Sequence, residues 1–265
     1  MLDYKIHNRE KDQEDLVLIH GLGGNSSIFY KQFKHYKKEF NVITIELPGH
    51  GKSPDLHTYM EEFSYQVAAR EVLTTLNSLG IKQAHFVGVS LGTIIIHYLL
   101  QDAPERVKSA VLAGTVTRFT PFSKGLLLLG KAIKDFTPYI WIYRLFARIM
   151  MPKSNHKQSR IIFIKEAIKM KRSNFLGWYD TCYSVEESYK DVQRIASGIP
   201  KLYVSGSEDH LFIGPLKEDI ENDPNATLVV IEKCGHVCNL ERAKEFNDLS
   251  LTFLLEQQEP MKQAN

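Results

Sequence analysis

A serine, an acid and a histidine occur in this chain in settings that suit acyl transfer. Ser90 is the centre of Gly88-Val89-Ser90-Leu91-Gly92, a G-x-S-x-G sequence between an apolar run and a helix-like stretch. That is the setting of a nucleophile elbow. Asp209 and His236 each follow another apolar run later in the chain. The sequence therefore predicts Ser90 as nucleophile, His236 as the base that takes its proton, and Asp209 as the acid that orients the imidazole.

Each of these three positions also has a plainer interpretation. A five-residue match around Ser90 can be only a glycine-containing turn between a strand and a helix. Glu208 precedes Asp209 in the same loop and is a rival for the acid. His236 could be a hydrogen-bonded loop histidine with no part in chemistry. The three positions lie at comparable places in the pattern of apolar runs, and this coincidence favours the catalytic interpretation.

A glycine-rich segment predicts donors for an oxyanion. His20-Gly21-Leu22-Gly23-Gly24 ends an apolar run, and acyl transfer needs two preorganised N–H donors for the oxygen that becomes negative. The predicted donors are the backbone N–H groups of Leu22 and Leu91, and Gly21 is expected to contact substrate. A phosphate loop is disfavoured because this segment matches neither G-x-G-x-x-G nor a pattern that ends in G-K-[ST]. An ordinary strand-to-helix turn stays open as an alternative.

The cysteines raise the question of a metal. Cys234, His236 and Cys238 lie close together, but they supply three ligands where a structural zinc site needs four. The sequence therefore predicts no metal and no cofactor. Three cysteines in all, two of them bunched together, also do not resemble the disulfide framework of a secreted protein.

Alternating short apolar runs and helical patterns indicate the elements that position these residues. Nearly continuous Val, Ile and Leu runs are typical of parallel strands buried on both faces. The expected strands are Leu16–His20, Val42–Glu46, His85–Val89, Ser109–Ala113, Lys201–Val204 and Thr227–Ile231. Helical spacing predicts helices over Phe63–Leu79, Leu91–Leu100 and Ala243–Glu256. The fold class is α/β, with a mostly parallel central sheet flanked by helices.

The alternation stops after Ala113, and residues 116–185 are predicted to form a helical cap inserted between two parts of a core, 1–115 and 186–265. Within this helical insertion, prolines separate the apolar runs Leu126–Ile133, Tyr139–Met151 and Ile161–Met170. Residues 116–180 hold 13 Lys and Arg against 3 Asp and Glu, although the whole chain has a formal net charge of +2. The insertion is expected to supply an apolar pocket, with Trp141 as a substrate contact. Its positive charge is either a solvated face or a weak attraction to an anionic substrate or lipid surface.

Composition limits the remaining possibilities. Hydrophobic residues make up 43% and charged residues 24% of 265 residues, as in an ordinary globular protein. No signal-peptide pattern and no run long enough to span a membrane is evident, so the expected compartment is the cytoplasm. The expected partner is a small ester-like molecule rather than nucleic acid, without stable membrane insertion. The oligomeric state is not predicted.

Taken together, five segments resemble the α/β-hydrolase family with a helical cap. They are His20–Gly24, Pro48–Ser53, Gly88–Gly92, Gly206–Asp209 and Gly235–His236, and the resemblance spans roughly residues 15–255. It implies the chain order Ser90, Asp209, His236 of this family, and cleavage of a carboxylic ester or thioester through an acyl-enzyme. Because one fold hosts many reactions, C–C bond hydrolysis, a lyase reaction, acyl transfer to another acceptor, and a non-catalytic receptor remain alternatives.

Overall fold

The computed structural model of the chain describes residues 1–196 and 198–258, so Ser197 and residues 259–265 of the predicted core lie outside the described residues. The strands are β1 (Tyr4–Ile6), β2 (Glu14–Ile19), β3 (Phe40–Ile45), β4 (Ala84–Val89), β5 (Val107–Ala113), β6 (Lys201–Gly206) and β7 (Ala226–Ile231). They form one sheet in the order β1-β3-β2-β4-β5-β6-β7. Strand β1 pairs antiparallel with β3, and the other neighbouring strands are parallel. The predicted mostly parallel α/β sheet is confirmed.

Eleven α-helices occur in the described part of the chain. They are α1 (Phe33–Tyr36), α2 (Tyr65–Ser78), α3 (Leu91–Asp102), α4 (Pro121–Ile133), α5 (Tyr139–Met150), α6 (Lys157–Ala167), α7 (Arg172–Thr181), α8 (Val185–Ile195), α9 (Ile213–Ile220), α10 (Cys238–Glu241) and α11 (Ala243–Glu256). Helix α3 packs against α2 and α8, while α11 contacts β5 and β6. The sheet is therefore covered by helices, and every residue of β3, β4 and β6 is buried.

The six expected strands are present, and sequence reasoning missed β1. This strand has three residues, one of them an exposed lysine, and it pairs on one side only. A strand so short buries too little apolar surface to show a hydrophobic pattern. Its position follows from pairing with β3, where Tyr4 lies opposite Ile45.

Between β5 and β6, the described residues form the helices α4 to α8. Helix α4 begins five residues before the expected apolar run, because Thr120 accepts a hydrogen bond from the Ser123 N–H and Pro121 occupies the first turn. Helices α7 and α8 were not among the expected runs. The buried face of α7 includes the polar residues Asn174 and Thr181, which weakens its apolar stripe. Helix α8 carries a short stripe of buried residues at helical spacing, Val185, Tyr189 and Val192, which the sequence reasoning overlooked.

The sheet order places several loops at one edge. Strand β2 lies between β3 and β4, so the direction of strand order reverses between β2 and β4. In open α/β sheets, ligands bind beyond the carboxyl ends of the strands at such a reversal. The loops that follow β2, β4, β6 and β7 carry the sequence-predicted site residues to this edge.

Candidate active site

Ser90 lies in the tight turn between β4 and α3. Its backbone has φ 52° and ψ −115°, and non-glycine residues rarely adopt a positive φ. Such a conformation costs about 1–3 kcal/mol and persists only where its surroundings impose it. The surroundings here are the end of a fully buried strand and the start of a buried helix. The strained turn is the nucleophile-elbow geometry that the sequence predicts.

Close packing of α3 against the end of β2 makes Gly92 necessary. A Cβ at this position would lie 2.2 Å from the Ile19 carbonyl oxygen. The two atoms would overlap, so no residue with a side chain fits here. The helix therefore starts directly beside the loop that follows β2. This brings the first turn of α3 and the His20–Gly24 loop together around Ser90.

The structure aligns Ser90, His236 and Asp209 in a chain of hydrogen bonds. His236 Nε2 is 2.9 Å from Ser90 Oγ, and His236 Nδ1 is 2.9 Å from Asp209 Oδ2. The histidine is fully buried and the carboxylate nearly so. Nucleophile, base and orienting acid are thus within hydrogen-bond reach of one another, as acyl transfer requires.

The electrostatic surroundings favour a proton on His236. Burial alone would lower its pKa, but the charge of Asp209, the hydrogen bond to it and the charge of Glu241 together raise the pKa of His236 above its ordinary value. An imidazolium formed by taking the serine proton is therefore stabilised at this position.

Glu208, the rival acid, points elsewhere. Its carboxylate accepts hydrogen bonds from Lys153 at 2.9 Å and Asn155 at 2.8 Å, and lies 2.7 Å from His156 Nε2. The hydrogen bonds from Asn155 and Lys153 lower the pKa of Glu208 to about 2. Of the two neighbouring acids, it is Asp209 that contacts His236.

The two predicted oxyanion donors, the backbone N–H groups of Leu22 and Leu91, belong to residues that line the same cavity as Ser90. Leu22 follows β2, and Leu91 opens α3, where the first N–H groups of a helix have no intrahelical acceptor. Neither backbone N–H donates to an acceptor in the described part of the chain. Gly21 lies against the nucleophile, since a Cβ there would be 3.3 Å from the Ser90 Cβ. The geometry leaves both amides free for a ligand.

His50 holds the glycine-rich loop in place. Its Nε2 accepts a hydrogen bond from the Gly23 N–H at 2.9 Å, while its Nδ1 lies 3.0 Å from the Pro48 carbonyl oxygen. Burial, followed by the nearby His20, lowers the pKa of His50 to about 3. A neutral ring can accept at one nitrogen and donate at the other, which is what these two contacts require.

An apolar cavity opens beside Ser90 and His236. Aromatic residues of the helical insertion contribute much of its wall: Phe119, Tyr143, Phe146, Phe163, Phe175, Trp178 and Tyr179. Tyr143 also donates a hydrogen bond from its hydroxyl to the Leu22 carbonyl oxygen at 2.8 Å. In the described part of the chain, no Lys, Arg, Asp or Glu lines the cavity. The cavity therefore suits a neutral, apolar part of a ligand.

The expectation for Trp141 is not met in this cavity. Its side chain is 64% exposed on α5, whereas Tyr143, two residues later, is buried and faces the cavity. Arg144 and Arg148, three and seven residues after Trp141, are exposed on the same side of α5, so the helical spacing of these basic residues is the signal that Trp141 faces outward. Sequence reasoning also missed Trp178, on a helix that it did not predict.

The cysteines beside His236 have other contacts. Both ring nitrogens of His236 are engaged by Asp209 and Ser90, and the thiols of Cys234 and Cys238 lie near the Gly235 carbonyl oxygen. Across residues 1–196 and 198–258, no group of three His, Cys, Asp or Glu side chains could hold a metal ion. Within the same residues, no helix combines the length and apolarity needed to cross a membrane.

Comparison with known proteins agrees with this fold. Residues 16–137 match the family model described as the α/β hydrolase fold. The chain is 27% identical to 2-hydroxy-6-oxo-6-phenylhexa-2,4-dienoate hydrolase of Comamonas testosteroni over 266 residues, covering 95% of this chain and 92% of that one. It is 28% identical to the putative carbamate hydrolase RutD of Pseudomonas savastanoi pv. phaseolicola, covering 95% and 98%. The solved structure of Est816, described as an N-acyl homoserine lactone degrading enzyme, has a TM-score of 0.76 at 25% identity, covering 95% and 96%.

The sheet order, the covering helices and these matches define an enzyme, a hydrolase of the α/β fold. The fold is the α/β-hydrolase fold, and residues 16–137 match the model of that family.

Proposed function

We propose that the protein is a serine hydrolase that cleaves a carboxylic ester or thioester with a small, partly apolar acyl group. The observation that supports this most directly is the hydrogen-bonded chain from Asp209 through His236 to Ser90, ending at the mouth of an apolar cavity. A nucleophile that is both activated and exposed to a binding cavity is the minimum that acyl transfer requires.

The mechanism has two steps. His236 Nε2 takes the Ser90 proton while Oγ bonds to the acyl carbon, and the carbonyl oxygen, now negative, accepts hydrogen bonds from the Leu22 and Leu91 N–H groups. When the bond to the leaving group breaks, His236 gives its proton to the leaving oxygen or sulfur. Water then attacks the acyl-enzyme by the same route, releasing the acid and restoring Ser90.

The cavity lining supports a neutral acyl group over an anionic one. The Comamonas relative is named for a dienoate, which carries a carboxylate. Burying an unpaired carboxylate is costly, and in the described residues the wall offers no Lys or Arg to pair with it. We therefore place ester cleavage ahead of C–C bond hydrolysis, which the relative supports as the second candidate. A lyase reaction, acyl transfer and a receptor role share the same residues and are separated by experiment.

The test is hydrolysis of p-nitrophenyl esters of increasing acyl length, with fluorophosphonate labelling of Ser90 in parallel. We expect turnover with an optimum at an acyl group that fills the cavity, and labelling that is lost in Ser90→Ala. Labelling without turnover of any ester would favour the C–C hydrolase candidate, to be checked with a dienoate ketone. If neither labelling nor turnover is observed, the result contradicts a serine hydrolase and favours a receptor.

We also propose that the outer face of the helical insertion associates weakly with anionic lipid. Exposed apolar side chains lie beside exposed basic ones on α4 and α5: Phe122, Leu128, Leu129, Trp141, Lys124, Lys131 and Arg144. Apolar contact and positive charge together are what interfacial binding uses. Since Trp178 is buried and Trp141 is exposed, a change in emission on vesicle binding should come from Trp141. We expect a blue shift with phosphatidylserine vesicles at low salt and none with phosphatidylcholine vesicles; no shift with either contradicts this.

A further inference from the structure

A buried histidine of the helical insertion contacts the loop that carries Asp209. His156 lies immediately before α6, and its side chain is fully buried. Its Nε2 is 2.7 Å from Oε2 of Glu208, the residue next to Asp209. Lys153 and Asn155, just before it in the chain, donate hydrogen bonds to the same carboxylate. One short stretch of the insertion, residues 153–156, therefore binds the carboxylate of the residue next to Asp209.

The same imidazole lies against the loop that carries His236. A Cβ at Gly235 would be only 3.0 Å from the His156 ring. The Gly235 N–H donates to the Glu241 carboxylate at 2.7 Å, and that carboxylate is 3.8 Å from His156 Nε2. Ser159 of α6 donates to the other oxygen of Glu241 at 2.9 Å. The start of α6 thus touches both loops that must meet for Asp209 to bond to His236.

Packing alone does not explain a histidine at this position. The Nδ1 atom of His156 is buried and has no hydrogen-bond partner among the described residues, and an unpaired buried polar atom costs about 1–3 kcal/mol. A phenylalanine ring would fill the same space without that cost. What histidine adds is the polar contact at Nε2, between two carboxylates and beside the Lys153 ammonium.

We propose that His156 is a positioning residue: through Glu208 and the Gly235–Glu241 pair, it holds the Asp209 and His236 loops at the separation their hydrogen bond requires. The inference rests on the proposed function, because that separation matters for the chemistry of Ser90. The helical insertion then has two roles. Its aromatic residues form the cavity, and the start of α6 aligns the base and acid beneath it.

The first test is His156→Phe, which keeps a buried ring and removes the contact to Glu208. The Asp209 charge and hydrogen bond raise the pKa of His236, so a looser Asp209–His236 contact should return this pKa toward its ordinary value of 6.5. We expect kcat to fall about tenfold, because weakening one hydrogen bond in the transition state costs roughly the free energy of a tenfold change in rate. The change in KM should be smaller. The acidic limb of the kcat/KM profile should move to lower pH.

Lys171→Ala is the matched control. Lys171 also attaches the insertion to the core, through an ion pair of 2.6 Å with Asp55, in the loop after β3. It contacts neither the Asp209 loop nor the His236 loop. We expect its pH profile to match that of the wild type. An equal shift in Lys171→Ala and His156→Phe would overturn the inference, because general attachment of the insertion would then explain both.

A measurement that does not depend on turnover separates this inference from the proposed function. NMR of protein labelled at the histidine rings gives the pKa of His236 directly, in the wild type, in His156→Phe and in Glu208→Gln, which preserves side-chain size if the ring substitution prevents folding. A lower pKa of His236 in the folded variants supports the inference. An unchanged pKa overturns it, whether or not the protein hydrolyses esters. Absence of fluorophosphonate labelling in the wild type overturns the proposed function alone.

Discussion

Two hydrogen-bonded sets of a serine, a histidine and a carboxylate lie in the same sheet. One is at the carboxyl edge, where the parallel strands end, and the other is at the amino edge, where they begin. At the carboxyl edge, His236 is 2.9 Å from both Ser90 and Asp209. At the amino edge, His85 Nδ1 is 2.8 Å from Ser109 Oγ, and His85 Nε2 is 2.6 Å from Glu14 Oε2. Strand β4 contributes to both, since His85 is its second residue and Ser90 follows its last residue, Val89. By residue type and hydrogen-bond distance, the two are nearly equivalent.

Their surroundings differ in each respect that matters for chemistry. Ser90 is in a strained turn and lines a cavity together with Leu22 and Leu91, whose backbone N–H groups have no acceptor among the described residues. Ser109 is within the regular strand β5 and its side chain is fully buried. No substrate can reach it without unfolding the sheet edge. A serine–histidine–acid chain therefore marks an active site only where the serine is accessible and an oxyanion can be stabilised.

The two histidines also differ in the direction of their pKa shifts. Burial lowers the pKa of His85, and Glu14 only partly offsets this because Lys108 shares the same carboxylate and adds a repulsive charge. At His236, burial is overcome by Asp209, with Glu241 adding to the effect. The environment at the amino edge favours a neutral ring, and that at the carboxyl edge favours holding a proton.

The largest contrast is expected from removing each serine hydroxyl. Ser90→Ala should lower kcat/KM for the best p-nitrophenyl ester by about 10⁴-fold or more, because the nucleophile is lost and only binding and the oxyanion donors remain. Ser109→Ala should leave kcat/KM within about twofold. Steady-state kinetics on both purified variants checks this. Equal losses would show that accessibility and backbone donors do not distinguish Ser90 from Ser109.

Removing the acid charge should give the next largest contrast. Asp209→Asn keeps the side-chain size but no longer favours the tautomer or the imidazolium, and comparable substitutions cost about 10⁴-fold in kcat. Glu14→Gln makes the same change at the amino edge and should alter kcat less than about twofold. If Glu14→Gln proved as damaging, the amino-edge cluster would be coupled to the active site through β4.

The sequence predicts an arrangement well when its residues lie close together along the chain, and poorly when the tertiary fold brings them together. The elbow at Ser90 is contained in five residues, and its strand and helix are strongly patterned, so the prediction needed no tertiary information. The Glu14–His85–Ser109 cluster has no motif, because the sheet register alone brings its members together: His85 pairs with Leu16 on one side and Ser109 on the other. The outward side of α5 is local by contrast, because Arg144 and Arg148 share the exposed face with Trp141; Trp141 was expected at the cavity because the apolar content of the run was considered without that spacing.

The pH dependence of activity should report on His236 rather than on His85. His236 accepts a proton only when neutral, and its pKa is raised above 6.5, so kcat/KM should fall as pH drops through a value above 6.5. Glu241→Gln removes one charge that raises this pKa and should move the limb to lower pH. Profiles of the wild type and of His85→Gln should coincide. An acidic limb at or below 6.5 in the wild type would contradict the raised pKa.

The smallest effect is expected on stability, at the amino edge. Ser109→Ala removes the hydroxyl beside buried His85 Nδ1, and leaving that nitrogen unpaired should lower the free energy of unfolding by about 1–3 kcal/mol. Because the pKa of His85 is lowered in the fold, the unfolded chain binds the extra proton first. The stability that neutral His85 contributes is therefore present above about pH 6.5 and lost as pH falls from there toward its lowered pKa. Urea unfolding at pH 8 and pH 5.5 measures both the cost of removing the Ser109 hydroxyl and the pH-dependent contribution of His85. His85→Gln is the comparison for the second quantity. A loss of stability between these pH values that is no smaller in His85→Gln would assign the pH dependence to the other buried histidines with lowered pKa, His50 and His97.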